Sequence, residues 1–436
     1  MTTRRKVIDA ESDIISDLPG HIIDHILSHL PIREAVRTSV LSYKWRNKWY
    51  TLPNLVFDKQ FVPATIDSKD LLVIDSKFLK IVDHVLLLHS GPINVFKLCE
   101  CDVNRGNVVG DIDRWILYLT GRSIKELVLE VWLEEKPYKI PFCLFSCQSL
   151  HHLKLRWSWF KPPKMFKGFR NLKSLDLNMV TVAQDDFANL ISGCPLLEKL
   201  ILTEVDGLTQ INIHAPNLKF FEIVGEFEGI SFDNTFQLAT VFADSWVDFN
   251  FENNQSTLHG RSSNFLKFFD HLPHIQSLMI HGYFLKNLAA GISPGKLPTP
   301  CIDLSYLSLS VNFDNLEEIL AALCLLGSSP NLQKLEIHAR FEVETLPLAF
   351  ETYCWEDTFS RPATPFQVRH VTLDNISGCK SELDFIQFLL LYSPVLEKMT
   401  VKPLPTLRLE LMTELIRFKR ASGEAEVIYV IEDLSY

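Results

Sequence analysis

Apolar residues follow two different spacings along this chain. From residue 16 to 50 they fall three and four apart, the spacing of one helix face, whereas from residue 52 onward they recur as short strings of the form apolar-x-x-apolar-x-apolar, which end in strand-like alternation. In the first segment Ser16 or Asp17 is placed to cap a helix entered at Pro19, whose Ile22, Ile23, Ile26, Leu27 and Leu30 form a continuous stripe. Pro31 stops that helix and opens a second, with Ile32, Ala35, Val36 and Val40 on its apolar face and Arg33, Glu34 and Arg37 opposite. Ser42 is placed to cap a third, in which Leu41, Trp45 and Trp49 recur every four residues. Three such helices in roughly 35 residues cannot cover one another's apolar faces, so a partner or the rest of the chain must do so.

The strand-like strings recur many times. They begin at TLPNLVFD and continue at residues 93, 124, 150, 172, 197, 218, 238, 275, 304, 332, 368 and 396. Between 124 and 238 the starts lie 26, 22, 25, 21 and 20 residues apart, within the leucine-rich-repeat range of about 20–29, and beyond 238 the gaps widen to 37, 29, 28, 36 and 28. The wider gaps predict insertions, with 252–264 and 351–365 as loop candidates. GCPLLEKLIL, SSPNLQKLEI and YSPVLEKMTV share a small residue followed by proline before the strand, and each follows a helical pattern (DDFANLI, NLEEILAAL, LDFIQFLL). Helix, proline-marked turn and strand in alternation predict right-handed crossovers, hence an α/β solenoid with parallel strands and with helices on the convex side.

Alternation along each strand sends the three template positions into the core and the intervening ones to the concave sheet face. On that face lie Glu126, Glu130, Lys154, Arg156, Asp176, Asn178, Lys199, Glu222, Tyr306, Lys334, Glu336, His338, His370 and Asp374, together with His152, Ser174, Thr203, His281 and Lys398. Their charges are mixed, which suits a specific protein or small-ligand surface better than a nucleic acid.

Charge and cysteine content narrow the picture. With 436 residues, 47% apolar and 22% charged, the composition is that of a folded chain too long for one compact core. A net charge of -10 leaves no broad basic surface to displace counterions from nucleic acid or an anionic membrane. Nine scattered cysteines with no C-x-x-C pair indicate neither a disulfide framework nor a zinc ribbon, and favour a reducing compartment and core packing of the thiols. No signal-peptide or membrane-length apolar segment is read, so the expected location is nucleus or cytoplasm. No phosphate-binding or nucleophile-elbow motif occurs, and no cofactor is expected.

Two stretches invite sharper readings. In HIIDHILSH, His21, His25 and His29 recur every four residues, with Asp24 beside them, like the H-x-x-E-H zinc motif. A metallohydrolase would also need a third ligand, an activating acid and an enclosing pocket, and the stripe lies about 100° round the helix from Ile22, so solvated or partner-contacting histidines are the favoured reading. In RWSWFKPPKMF, residues 156–166, aromatic residues meet lysines on a loop, either as a recognition patch or as a cover for the repeat edge.

The string LPGHIIDHILSHLPIREAVRTSVLSYKWRNKW closely resembles the F-box of plant F-box proteins, in its Leu-Pro opening, its Ile-Leu-x-x-Leu-Pro and its closing Ser-Val-Leu-Ser-x-x-Trp-x-x-x-Trp. The C-terminal VRHVTLDNISGCKSELDFIQFLLLYSPVLEKMTV and ELIRFKRASGEAEVIY resemble the FBD domain of the same group. The repeats lack the asparagine of the common leucine-rich template three places after the strand, as at Val180, and look like the irregular repeats of plant F-box/FBD/leucine-rich-repeat proteins. That resemblance implies a flexible start (1–12), an F-box (13–58), irregular repeats (59–361) and an FBD segment continuing the array (362–431). It further implies a non-catalytic subunit that docks on a Skp-family adaptor, and through it on a cullin-RING ubiquitin ligase, while the repeats hold a target protein for ubiquitination. Carried over position by position, the docking residues are Leu18, Pro19, Ile22, Ile26, Leu30, Pro31, Val36, Val40, Leu41 and Trp45, with Ile23, Leu27 and Trp49 as those most open to internal packing instead. An adaptor-bound scaffold without degradation is the alternative function.

Overall fold

The computed structural model describes residues 15, 18–58, 71–102, 108–133, 136–246, 268, 269, 272, 274–289, 297, 299–341, 365–404 and 408–430. The loop candidates at 252–264 and 351–364, the capping residues Ser16 and Asp17 and the start of the chain at 1–12 lie outside them. The chain forms two compact units, Met1–Leu172 with Asn178–Thr181, and Lys173–Leu177 with Val182–Tyr436.

The first unit opens with helices α1 (Gly20–Ser28) and α2 (Ile32–Arg37). It continues through β1 (Asn54–Phe57), α3 (Leu71–Leu88), β2 (Val95–Asp102), α4 (Val108–Thr120), β3 (Glu126–Trp132), β4 (Tyr138–Lys139), β5 (His152–Arg156) and β6 (Ser158–Phe160). Strands β1, β2, β3 and β5 pair side by side in that order, all parallel. The second unit contains β7 (Ser174–Asn178), β8 (Thr181–Val182), α5 (Gln184–Ser192), β9 (Lys199–Thr203), β10 (Gln210–His214), β11 (Phe220–Gly225), β12 (Gly229–Asp233) and β13 (Thr240–Ser245). It goes on with β14 (Ser277–Gly282), α6 (Phe284–Ala289), β15 (Tyr306–Val311), α7 (Leu316–Gly327), β16 (Lys334–Ala339), β17 (His370–Ile376), α8 (Lys380–Tyr392), β18 (Lys398–Pro403), α9 (Arg408–Arg417) and β19 (Glu426–Tyr429). Its strands follow the order β7, β9, β11, β13 and then β14 to β19, and β10 pairs β12 in a separate two-stranded sheet.

Register explains why the apolar template repeats. Leu200, Phe221, Val241, Leu278, Leu307, Leu335, Val371 and Met399 stand opposite one another strand by strand, and all are buried. The first template residue of each string is buried as well, as at Ile124, Leu150, Leu172, Leu197, Leu218, Leu238, Ile275, Leu304, Leu332, Val368 and Leu396. A one-residue slip would turn a whole strand's leucines outward, so the apolar pattern fixes the register.

Backbone hydrogen bonds at the strand starts reinforce it. The carbonyl of Lys173 accepts from the N–H groups of Glu198 and Lys199, at 2.8 and 2.9 Å. The same two-donor hook recurs at Glu198, Lys219, Ala239, Gln276, Ser305, Gln333 and Arg369, and in the first unit at Pro53, Asn94 and Lys125. The proline-marked turns match one another: Leu197, Leu332 and Leu396 donate to Cys194, Ser329 and Ser393, at 3.1, 3.2 and 3.3 Å. Asn171, Asn217 and Asn331, each just before a template leucine, donate side-chain N–H groups to Gln148, Pro195 and Ile302 carbonyls of the preceding coil, all at 2.8 Å. These asparagines satisfy backbone between coils from a position other than that of the common template. After the strands, Trp157, Met179 and Glu204 adopt left-handed backbone angles (φ 51°, 52° and 51°).

Coils of 20 and 21 residues return differently from longer ones. The coils starting at 197 and 218 carry the strands β10 and β12 where those starting at 172, 304 and 368 carry α-helices. A strand advances about 3.3 Å per residue against 1.5 Å for a helix, so the same return distance takes fewer residues. Helices do stand on the returning side where the sequence patterns placed them, over Gln184–Ser192, Leu316–Gly327 and Lys380–Tyr392, and strands take their place in these two coils.

The N-terminal segment also departs from expectation. α1 and α2 form, but residues 38–51 contain only the short 3-10 turns Thr38–Val40 and Lys48–Thr51. Ser39, Ser42 and Asn47 are weak helix formers, and Trp45 and Lys48 donate three residues back, to Ser42 and Trp45 carbonyls at 3.1 and 3.3 Å. The segment joins the repeats through the Tyr50 carbonyl, which accepts from Ser90 and Gly91 N–H groups at 2.9 and 3.3 Å.

One buried ion pair anchors the second unit. Glu318 on α7 is fully buried; its carboxylate accepts from Arg340 at 2.7 Å and from the Asn312 N–H at 2.9 Å. The Arg340 guanidinium also covers the Tyr283 ring at 4.3 Å. Burial pushes the Glu318 carboxyl upward, and Arg340 opposes that shift. Arg340→Met is expected to lower the unfolding free energy by about 3 kcal/mol, because it leaves a buried carboxylate without its cation. Adding Glu318→Gln should recover part of that loss, since the amide oxygen still accepts from Asn312; chemical denaturation of the single and double variants checks both.

Candidate functional site

Two surfaces carry the residues singled out above. On α1, Ile23 and Leu27 are buried at 1% and 0% exposure, whereas Ile22 and Ile26 stand 36% and 37% exposed. The apolar stripe thus splits into an inner and an outer row. Val40 and Leu41 are 87% and 49% exposed, Pro19 and Pro31 are also exposed, and Leu18, Leu30 and Val36 are half-buried. Tyr43, which periodicity did not single out, adds another exposed ring beside them in sequence.

Trp45 is a correction. It was placed among the docking residues, but it is 3% exposed and its indole N–H donates to the Ile15 carbonyl at 3.1 Å. Without a third α-helix, a four-residue spacing no longer aligns side chains: Leu41 points out and Trp45 packs in, with Trp49 also buried.

The histidines do not gather. His21, His25 and His29 are exposed; the rings of His25 and His29 meet edge to face at 4.7 Å, and His29 Nδ1 lies 2.9 Å from the His25 carbonyl. Asp24, the acid a hydrolase would require, is paired with Lys48 Nζ at 3.0 Å. No group of three or more His, Cys, Asp or Glu residues able to hold a metal occurs among the described residues. Cys147, Cys194, Cys301 and Cys324 are buried.

On the open face of the first unit's sheet, Glu126 pairs with Lys97 at 2.5 Å and Glu130 with Lys154 at 2.8 Å. Arg156 Nε and Asn178 Oδ1 are buried without hydrogen-bond partners among the described residues. In RWSWFKPPKMF, Trp157 is held by stacking on Trp132 (4.3 Å between rings) and by donating to the Leu133 carbonyl at 2.9 Å. Trp159 lies at the surface with Lys161 over its ring. Trp157 thus packs at the repeat edge and Trp159 is presented to solvent.

The second unit's open face is more connected. Tyr306 donates to Glu336 at 2.6 Å, Lys334 pairs with Glu336 at 2.7 Å, and His338 lies 3.3 Å from Asp374. His281 meets the buried Ser308 hydroxyl at 2.9 Å, and its ring touches those of Phe242 and His338 edge to face. Burial, aided by His338 nearby, pushes the His281 imidazole down to about 4, so it is neutral near pH 7. Burial and the Glu336 hydrogen bond push the Tyr306 hydroxyl up to about 12. Burial works against the Glu336 carboxylate, but Lys334 and Tyr306 hold it below its usual range. Burial raises the Glu222 carboxyl, opposed by Lys199, and burial alone raises Asp244. Lys199 and His370 are the more exposed members of the face; Asp176 is half-buried. The arrangement is a preorganised polar surface whose charged groups are paired across neighbouring strands.

Comparison with known proteins agrees with this division. A family model described as the F-box domain matches residues 15–57, and one described as the leucine-rich repeats of FBD-associated F-box protein At5g56370 matches residues 112–337. The chain is 39% identical to the F-box/FBD/LRR-repeat protein At1g13570 of Arabidopsis thaliana, over 96% of this chain and 98% of that one. It is 24% identical to the Arabidopsis F-box/LRR-repeat protein At3g03360 over 78% of this chain and 73% of that one. Among the described residues no helix is long and apolar enough to cross a membrane. With an F-box segment leading into in-register leucine-rich coils, and a relative that matches almost end to end, the chain belongs to the plant F-box/FBD/LRR-repeat family.

Proposed function

We propose that the chain is the substrate-recognition subunit of a Skp-cullin-F-box ubiquitin ligase, non-catalytic itself and located in the nucleus or cytoplasm. The observation that supports this most is an apolar outer row on an F-box whose own core is already closed. Ile23, Leu27, Trp45 and Trp49 fill the interior, yet Ile22, Ile26, Val40, Leu41 and Tyr43 remain in contact with water. Exposed apolar residues gathered in one short segment mark an interaction surface, and an adaptor of the Skp family would cover this one. The docking set is then Leu18, Pro19, Ile22, Ile26, Leu30, Pro31, Val36, Val40 and Leu41.

Such a subunit accelerates ubiquitin transfer by holding a target's lysines near the charged enzyme carried elsewhere in the complex. The open sheet face supplies a place for the target: its charged groups are fixed by partners on neighbouring strands, so little ordering cost is left at binding. On this reading residues 13–58 dock the adaptor, 59–361 present the target surface, and 362–431 extend the array.

Inner and outer rows give separable outcomes. Ile26→Asp combined with Val40→Asp should reduce capture of a purified Skp-family adaptor by at least about tenfold while leaving the thermal midpoint of the chain unchanged. Undiminished capture would exclude this docking face. Trp45→Ala, by contrast, should destabilise the N-terminal segment by about 3 kcal/mol, measured by denaturation. To separate a degradative receptor from a scaffold, proximity labelling is compared with and without proteasome inhibition: a receptor accumulates partners bearing adaptor-dependent ubiquitin, and their absence favours the scaffold.

A further inference from the structure

A cavity of about 400 Å³ opens where β9, β11 and β13 end. It is bounded by the β9–β10 loop (204–209), by Gly225 and the residues after β11 (226–228), and by Trp246 just past β13. Its volume lies in the range of ligand pockets, roughly 300–1,000 Å³. Val205, Leu208, Phe227 and Trp246 give it apolar walls, and Glu204, Asp206, Glu226 and Glu228 supply four carboxylates; among the described residues no Lys, Arg or His lines it.

The loops forming this cavity are held in place. Gly207 has φ +90°, and a Cβ there would come within 2.4 Å of the Val182 carbonyl oxygen, so only glycine fits. The Val182 N–H donates to the Asp206 carbonyl at 3.0 Å, the Gln184 side chain donates to the Gln210 carbonyl at 2.6 Å, and Gln210 donates to the Glu228 carboxylate at 3.1 Å. Glu204 keeps its left-handed backbone angle with its N–H bonded to the Val224 carbonyl at 2.7 Å.

Trp246 differs from the chain's packed tryptophans. Its backbone N–H is bonded to the Gly225 carbonyl at 3.2 Å, but its side chain is half exposed and its indole has no hydrogen-bond or ring partner among the described residues. Glu204, Asp206 and Glu226 form no ion pair among the described residues either. A broad aromatic face beside carboxylates, in a cavity without a cation of its own, is complementary to a flat cation that tolerates desolvation. Guanidinium meets that description better than ammonium, which is a compact, strongly hydrated point charge.

We infer that this pocket binds an arginine side chain of the partner, stacking its guanidinium on Trp246 between the carboxylates of Glu204 and Glu226. The assignment rests on the receptor reading, for which it names the chemistry of a target contact.

The test uses the full chain and three short peptides, acetyl-Gly-Gly-Arg-Gly-Gly-amide and the same peptide with lysine or citrulline in place of arginine, followed by saturation-transfer NMR. The arginine peptide is expected to bind at least about tenfold more tightly than the citrulline one, which keeps the shape and loses the charge, with the lysine peptide between them. Trp246→Ala and, separately, Glu226→Gln are each expected to weaken the arginine peptide by at least about fivefold. Equal binding of arginine and citrulline overturns the assignment, as does an arginine peptide indifferent to both substitutions. Absence of binding by the folded chain at about 10 mM peptide, including absence because another segment of the chain fills the cavity, overturns it too. Adaptor capture measured on the same preparations keeps the two readings apart: intact capture with no arginine binding removes this pocket and leaves the receptor.

Discussion

A coil of this protein cannot bury its own leucines. Each strand has one row of apolar side chains and nothing within its own twenty to thirty residues to lay over them, so every coil depends on the register it keeps with the next. That register is held at two points, the stacked template residues and the carbonyl that receives two N–H groups at most strand starts. Everything of functional interest is mounted on this ladder. Open-face side chains acquire fixed neighbours because the strands beneath them cannot slide, and that is why Tyr306, Glu336, Lys334, His338 and Asp374 form a connected network from residues far apart in sequence.

The same dependence organises the N-terminal segment. The carbonyls of Tyr50 and Pro53 accept N–H groups of the first coil in the way that later strand starts do, so the F-box ends as a rung of the array within the first unit. Its helices divide their apolar residues, Ile23 and Leu27 inward and Ile22 and Ile26 outward.

Much of this was legible in the apolar spacing. A period-two ending repeated at intervals of 20–41 residues has one economical explanation, and the burial of every template position from Leu52 to Leu396 follows from it. What spacing did not reveal was local. Trp45 and Leu41 are four apart and read as one face, but serines and an asparagine between and beside them favour tight turns, and turns rotate side chains differently from a helix. The short coils read as repeats yet not as strands on their return, because GLTQINIH alternates over too few residues to stand out. The cavity beside Trp246 was invisible for another reason: its walls come from three strand ends each about twenty residues from the next, and only the stacking of coils brings them together.

The two-donor hook at each strand start separates two quantities that most folds tie together. Coil length varies from 20 residues upward, and the return path is by turns strand, helix or extended loop, while the spacing of side chains on the sheet face stays that of neighbouring β-strands, about 4.8 Å. Insertions on the return path therefore leave the spacing of the displayed chemistry untouched, and substitutions on the face leave the path untouched. A lineage built on such a chain can lengthen its loops and rewrite its surface as independent experiments.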